Sequence, residues 1–290
     1  MRKLLFQFDS SRLPSAFDRV VAYDGGADEV LSYGGVVEAD VRDLVHGAIF
    51  TRGLKDLRKT AVFIGGADMA AGERLLAEAR KAFFGPFSVS VMLDSNGSNT
   101  TAVAAVAKAL QTVGDVSGRR AVVTAGTGPV GQRAAGLLAR AGADVVITSR
   151  RHDEGEHIAS AVATRFGGRV SSVEIRDPSA LAPVLDGAHI LINAGPAGVK
   201  IVPRDAWADR PGLQVAIDLN AVPPLGVEGI EVNDNGAVRE GVTVFGALGV
   251  GGFKMKVHKA CIARLFERND LVLDAESIAD VANALIPATT

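Results

Sequence analysis

Short apolar runs recur along the chain, each closed by glycine or small polar residues, with helix-period stretches between them. Residues 4–8 (LLFQF) predict a first strand. A helical stretch opens at Pro14-Ser15, with Phe17, Val20 and Val21 on one face and Asp18 and Asp24 off it, and Gly25-Gly26 closes it. Brief apolar runs follow at residues 30–33 and 48–50. Residues 61–64 predict a buried strand ending in Gly65-Gly66. From Asp68 to Phe84 the period is helical, with Asp68 as N-cap and Met69, Leu75, Leu76 and Ala79 facing inward, until Gly85-Pro86 break it. Residues 88–93 predict another strand and residues 102–113 a long helix. Strand–helix–strand order of this kind predicts a parallel α/β layer.

The pattern repeats after a short Ser117-Gly118 linker. Residues 121–124 predict a strand, and a helix follows with Val130, Ala134, Leu137, Leu138 and Ala141 on one face. Gly142 ends it, and a second strand is predicted at residues 145–147. Further strands are predicted at residues 170–175, 188–192 and 215–219. Residues 244–252 read as a glycine-dense turn into a helix at 254–266. A last helix is expected at 275–285, with Ile278, Val281, Ala282 and Leu285 on one face.

Between the strand at 121–124 and its helix lies Gly126-Thr127-Gly128-Pro129-Val130-Gly131, a G-x-G-x-x-G turn in strand–turn–helix context. Its glycines suit a tight turn, close approach of a pyrophosphate, and helix–strand packing. The helix N-terminus adds free N–H groups and a positive dipole end. At the next strand tip, where an NAD site wants a carboxylate, stand Ser149, Arg150 and Arg151, and the first acidic residue is Asp153. A hydroxyl and two guanidiniums suit a 2′-phosphate, so the expected cofactor is NADP rather than NAD. Small residues after later strands, Ala194-Gly195-Pro196 and Asn220, are expected to let the cofactor lie against the backbone.

The polar segment 94–101 (DSNGSNTT) stands between a strand and a helix. It reads either as a helix start or as a ligand loop, with Asp94, Asn96, Ser98 and Thr101 as contacts; more polar groups are present than a cap needs. The basic segment 52–59 reads as a solvated loop or as a contact for an anionic tail. Lys254, Lys256, His258 and Lys259 open the helix read at 254–266, where lysines oppose the dipole; they are either tolerated at the surface or placed there for a purpose.

Composition adds boundaries. Of 290 residues, 48% are hydrophobic and 22% charged, enough for a sizeable core and against global disorder. The net charge of −2 gives no overall pull toward nucleic acid or an anionic membrane. The single cysteine, Cys261, rules out an intrachain disulfide framework, reads as core rather than nucleophile, and suits a reducing cytoplasm. Histidine and cysteine spacing suits no zinc site, so no metal is expected. The N-terminal apolar run is too short for a signal core, and no run of 18 apolar residues spans a membrane.

Several idiosyncratic segments resemble one family together. They are LLFQFD at 4–9, Phe17-Asp18, YDGGAD at 23–28, FIGGADMAAGERL at 63–75, FFGPF at 83–87, MLDSNGSNTTA at 92–102, AGTGPVG at 125–131, PPLGVEGI at 223–230 and FGALGVGGFKMKVHKACIARLFE at 245–267. These resemble the NADP-dependent methylene-tetrahydromethanopterin dehydrogenases of methylotrophic bacteria, most of all the branch that also accepts methylene-tetrahydrofolate. The resemblance runs nearly end to end. It implies a two-domain α/β subunit, with an N-terminal pterin-side domain, a Rossmann NADP domain and a cleft between them. The expected division is 1–113, 114–252, and C-terminal helices at 253–290 packing back across that cleft. It implies hydride transfer from a methylene carbon to NADP, with Asp18 and Lys254 on the pterin and Phe17 packed against a ring, in a homo-oligomer. Two other readings remain: a shikimate-dehydrogenase-like NADP oxidoreductase, which the N-terminal segments do not suit, and a non-catalytic NADP-binding regulator.

Overall fold

The computed structural model describes residues 1–286. In chain order its strands and helices begin β1 (Leu4–Asp9), α1 (Ala16–Asp24), β2 (Glu29–Gly34), α2 (Glu38–Ile49), β3 (Thr60–Gly65), α3 (Met69–Ala82), β4 (Ser90–Leu93) and α4 (Ser98–Val113). Then come β5 (Arg120–Thr124), α5 (Pro129–Arg140), β6 (Asp144–Ser149), α6 (His152–Phe166), β7 (Arg169–Glu174), β8 (Ala188–Asn193), α7 (Arg204–Trp207) and β9 (Val215–Asp218). The chain closes with β10 (Asn235–Arg239), β11 (Val242–Phe245), α8 (Ala247–Leu265), β12 (Val272–Leu273) and α9 (Ala275–Leu285).

Two compact units result. One comprises Met1–Thr100 with the described residues from Met255 on, and the other Thr101–Lys254, so the divisions fall inside α4 and α8. The first unit holds a parallel sheet in the order β12-β4-β3-β1-β2. Phe8, Val62, Ile64, Val91 and Leu93 from its strands pack with Val41, Val45 and Ile49 of α2 and Leu75 and Ala79 of α3. The second unit holds seven strands in the order β10-β11-β9-β8-β5-β6-β7, parallel except for the β10–β11 pair. Trp207, Val122, Leu191 and Ala216 lie in its core, and the Trp207 indole donates to the Glu228 carbonyl.

Several boundaries differ from the sequence reading. Residues 48–50 close a twelve-residue helix, α2, and are not a separate run. The long helix starts at Ser98, four residues before the expected position, because Asp94 accepts from the Asn99 and Thr100 amides and pulls the polar segment into the first turn. The glycine-dense stretch is helical: α8 starts at Ala247, so Lys254 sits two turns inside and does not open the helix. A Cβ on Gly246 or Gly249 would overlap the backbone of Glu231, Val232 or Asp234, so those glycines let α8 lie directly on that segment. In α1 the buried residues are Val21 and Ala22, while Phe17 and Val20 face outward. Leu285 is exposed at the end of α9, although Ile278, Val281 and Ala282 are buried as expected.

Candidate active site

In the first sheet the strand order reverses between β1 and β3. Open parallel sheets bind ligands at the carboxyl ends of strands beside such a point. Asp9 ends β1, Gly65 ends β3, and Asp94 follows β4, all at that edge. Asp9 is buried, and its carboxylate accepts from the Ser11 amide at 2.8 Å and the Ser15 amide at 2.9 Å. Gln7 reinforces this by donating to the Ser15 carbonyl while accepting from the Ser32 hydroxyl. Ser15 thereby becomes a fixed N-cap for α1, its hydroxyl accepting from the Asp18 amide. The first turn of α1 is thus anchored to the switch point through β1.

That anchoring directs Asp18. A Cβ placed on Gly65 would lie 3.5 Å from an Asp18 carboxylate oxygen and 3.5 Å from one of Asp9. The nearest atom would be Cε1 of the Phe63 ring, at 3.1 Å, so Gly65 leaves just enough room for that ring and the Asp9 and Asp18 carboxylates to close in together. Phe17, beside Asp18, is 51% exposed. Asn96 is also exposed, held at φ 55° with its amide donating to the Gly66 carbonyl at 2.6 Å.

The rest of the 94–101 segment faces inward. Asp94 is fully buried, and Thr100 donates its hydroxyl to it at 2.6 Å. His258 of α8, also fully buried, brings Nδ1 to 3.8 Å from Asp94 and stacks on Phe63 with ring centroids 5.5 Å apart. Ser98 is fully buried too. Of the segment's four expected contacts, Asp94 and Ser98 are buried, Asp94 being bonded to the first turn of α4, while Asn96 and the half-buried Thr101 are what the segment presents. Cys261 is core, as expected. Its thiol is pushed up to about 12, first by burial and then by the Asp94 charge. Arg52, in the basic segment, is tied to the Lys59 and Arg2 carbonyls and acts as a structural brace.

In the second unit the order reverses between β5 and β8. The three glycines of the turn have distinct surroundings. A Cβ on Gly126 would overlap Ile147 of β6, and one on Gly131 would lie 2.7 Å from the Gly126 Cα. At Gly128 the nearest atom would be the Ala125 carbonyl oxygen at 3.6 Å, so this middle position is open. Gly128 is also the N-cap of α5, without a side-chain cap, and Pro129 follows it. With Thr127 and Val130 the turn presents a helix N-terminus and an open backbone, which fit a dinucleotide pyrophosphate.

Around this turn the predicted cofactor residues divide. Ala194, Gly195 and Pro196 are at least partly exposed beyond β8. Asn220 is buried and ties two loops together, accepting from the Gly198 and Val222 amides and donating to the Pro196 and Pro224 carbonyls. These bonds shape the loops on which the expected cofactor contact at Asn220 lies. Asn193, which sequence reading left unassigned, is buried; it accepts from Thr124 at 2.7 Å and donates to Asp218 at 2.8 Å. Ser149 is buried, and its hydroxyl closes a turn on the Arg151 backbone, so Arg150 and Arg151 are what this tip exposes. Among the described residues no group of three or more His, Cys, Asp or Glu side chains could hold a metal ion. No described helix is long and apolar enough to cross a membrane.

Comparison with known proteins shows the family. A sequence model described as the N-terminal part of methylene-tetrahydromethanopterin dehydrogenase matches residues 16–96, which contain α1, Asp18, Gly65 and Asn96. The bifunctional protein MdtA of Methylorubrum extorquens is 49% identical over 98% of this chain and 99% of its own length. The chain belongs to the methylene-tetrahydromethanopterin dehydrogenase family. A second relative from the same organism, an NAD(P)-dependent methylenetetrahydromethanopterin dehydrogenase, is 34% identical over 94% of this chain and 95% of its own. Among solved structures, a shikimate 5-dehydrogenase of Listeria monocytogenes superposes with a TM-score of 0.57 at 14% identity, covering 98% of this chain and 96% of its own. A 5-ketofructose reductase of Gluconobacter does so at 0.52 and 16% identity, over 99% of both chains. At such identities the likeness shows the fold alone. This chain therefore shares an α/β architecture with enzymes of other substrates, and family membership, not the fold, separates it from the shikimate-type reading.

Proposed function

We propose that the protein moves a hydride from the methylene carbon of methylene-tetrahydromethanopterin, and of methylene-tetrahydrofolate, to NADP. The methylene C–H bond breaks with its electron pair, and the methenyl cation remains, shared by the two flanking nitrogens; no proton is transferred. When bound, NADP supplies the hydride acceptor. The first unit takes the pterin and the second the nucleotide. Support comes from family membership and from one observation above the rest: the Asp18 and Asp9 carboxylates converge on Gly65 at the first sheet's switch point.

An anionic floor suits this reaction for two reasons. Carboxylate oxygens accept from the amino and ring N–H donors of a pterin. A fixed negative charge also favours a cation that develops only as the hydride leaves, and such differential stabilisation lowers the barrier. Phe17 offers a ring to stack on the bicycle, and an apolar ring left half in water is explained by a ligand that covers it. Lys254 carries donors and no acceptor, so its part is orientation. Because little acid–base help is needed, holding the two rings in near-attack geometry supplies most of the rate. We place the protein in the cytoplasm as a homo-oligomer. The lone buried thiol fits a reducing compartment, and the family resemblance supports the assembly.

The test is mutational. Asp18→Ala and Lys254→Ala are each expected to lower turnover on the order of a hundredfold while calorimetry shows NADP binding unchanged. Near-normal turnover in either variant removes that residue from the site.

A further inference from the structure

A third guanidinium stands at the nucleotide-side edge of the second sheet. β6 and β7 run parallel, with Ser149 directly beside Glu174. Two residues further along each strand tip come Arg151 and Arg176, which the register therefore makes neighbours. Both line one cavity of about 570 Å3, together with His152, Asp153, Glu154 and Glu174. The two arginines lie 25 residues apart in sequence, and only the strand pairing brings them together.

Each guanidinium already has a carboxylate. Arg151 Nε donates to Glu154 at 2.7 Å, and Arg176 pairs with Glu174. These arginine side chains are 74% and 79% exposed. Ion pairs so exposed are weak and exchange readily. A phosphate dianion offers each planar fork a stronger, bidentate partner. The same mouth holds the N-terminus of the fifteen-residue α6, whose N-cap, Arg151, makes no side-chain cap hydrogen bond.

We propose that Arg176 joins Arg150 and Arg151 in binding the 2′-phosphate of NADP, and that Glu154 and Glu174 are resident competitors for that phosphate. Without the cofactor the carboxylates keep the guanidiniums extended at the mouth. With it, Arg151 and Arg176 exchange carboxylate for phosphate. The strength of the two carboxylate pairs then sets how strongly NADP is preferred over NAD. The inference rests on the NADP reading and adds to it a third ligand and a tuning mechanism.

Titration calorimetry on the full chain with 2′,5′-ADP and with 5′-AMP tests it. Arg176→Ala is expected to weaken 2′,5′-ADP about tenfold and 5′-AMP less than about twofold. Arg176→Lys, which keeps the charge but loses the fork, falls between. Glu154→Gln and Glu174→Gln are expected to tighten 2′,5′-ADP by about threefold without changing 5′-AMP. Retained 5′-AMP binding shows that each variant is folded. Unchanged 2′,5′-ADP binding in Arg176→Ala, or equal losses for both nucleotides, overturns the inference and leaves the NADP reading standing. A wild-type protein that does not distinguish the two nucleotides overturns both.

Discussion

Asp94 commits its carboxylate to the chain itself, to two amides and a hydroxyl at the start of α4. From there its charge reaches Cys261, whose thiol is held neutral by burial first and by that charge second. Since the folded pKa, about 12, lies above the ordinary 9.0, the neutral thiol contributes stability below pH 9 that is lost as pH rises toward 12. Iodoacetamide at pH 8 is accordingly expected to leave Cys261 unlabelled in the native protein and to label it once guanidinium unfolds the chain. Rapid labelling of native protein would contradict the buried, neutral assignment. At this scale the sequence was partly legible. Phe17, Asp18 and Arg150 stood out because motif and strand-tip position mark them. Asp9 did not, because the last polar residue of a strand looks like an ordinary end. Arg176, proposed above as a phosphate ligand, was hidden because its neighbour Arg151 lies across a strand register that no local pattern displays.

The elements were readable wherever apolar period and a breaker agreed. Asp68 caps α3 as read, accepting from the Ala70 and Ala71 amides, and Gly142 closes the loop after α5. Reading failed where small residues replaced large ones. α6 buries Gly155, Ala159 and Val162, too thin a stripe to stand out. The signal for α2 lies in Val41, Val45, Ala48 and Ile49, which share one helical face. In α8 glycine's poor helix propensity was outweighed by close packing. Two of its glycines separate those effects. Gly249→Ala is expected to destabilise the protein by about 1–3 kcal/mol, since its methyl would overlap the Asp234 carbonyl. Gly251→Ala meets nothing within 4 Å and is expected to stabilise by about 1 kcal/mol through helix propensity. Urea unfolding midpoints measure both, and equal shifts would mean that backbone packing is not what selects glycine in α8.

Across the whole molecule, the parallel part of each sheet reverses its strand order, and the proposed chemistry gathers at the two reversals. At one stand Asp9, Asp18 and Gly65; at the other, the Gly126–Gly131 turn and the paired strand tips beyond it. Alternating strands and helices made the α/β class legible, and the glycine turn announced a dinucleotide. The fold alone is shared with shikimate- and ketofructose-type enzymes. The substrate was legible only in the long segments on the first unit, because the proposed anionic floor is assembled by the topology from β1, β3 and the first turn of α1. The central claim is tested by mixing purified protein with NADP and methylene-tetrahydromethanopterin or methylene-tetrahydrofolate and following absorbance. Methenyl-pterin is expected to appear together with NADPH, one for one, and much more slowly when NAD replaces NADP. NADP binding with no methenyl-pterin from either substrate would contradict the claim.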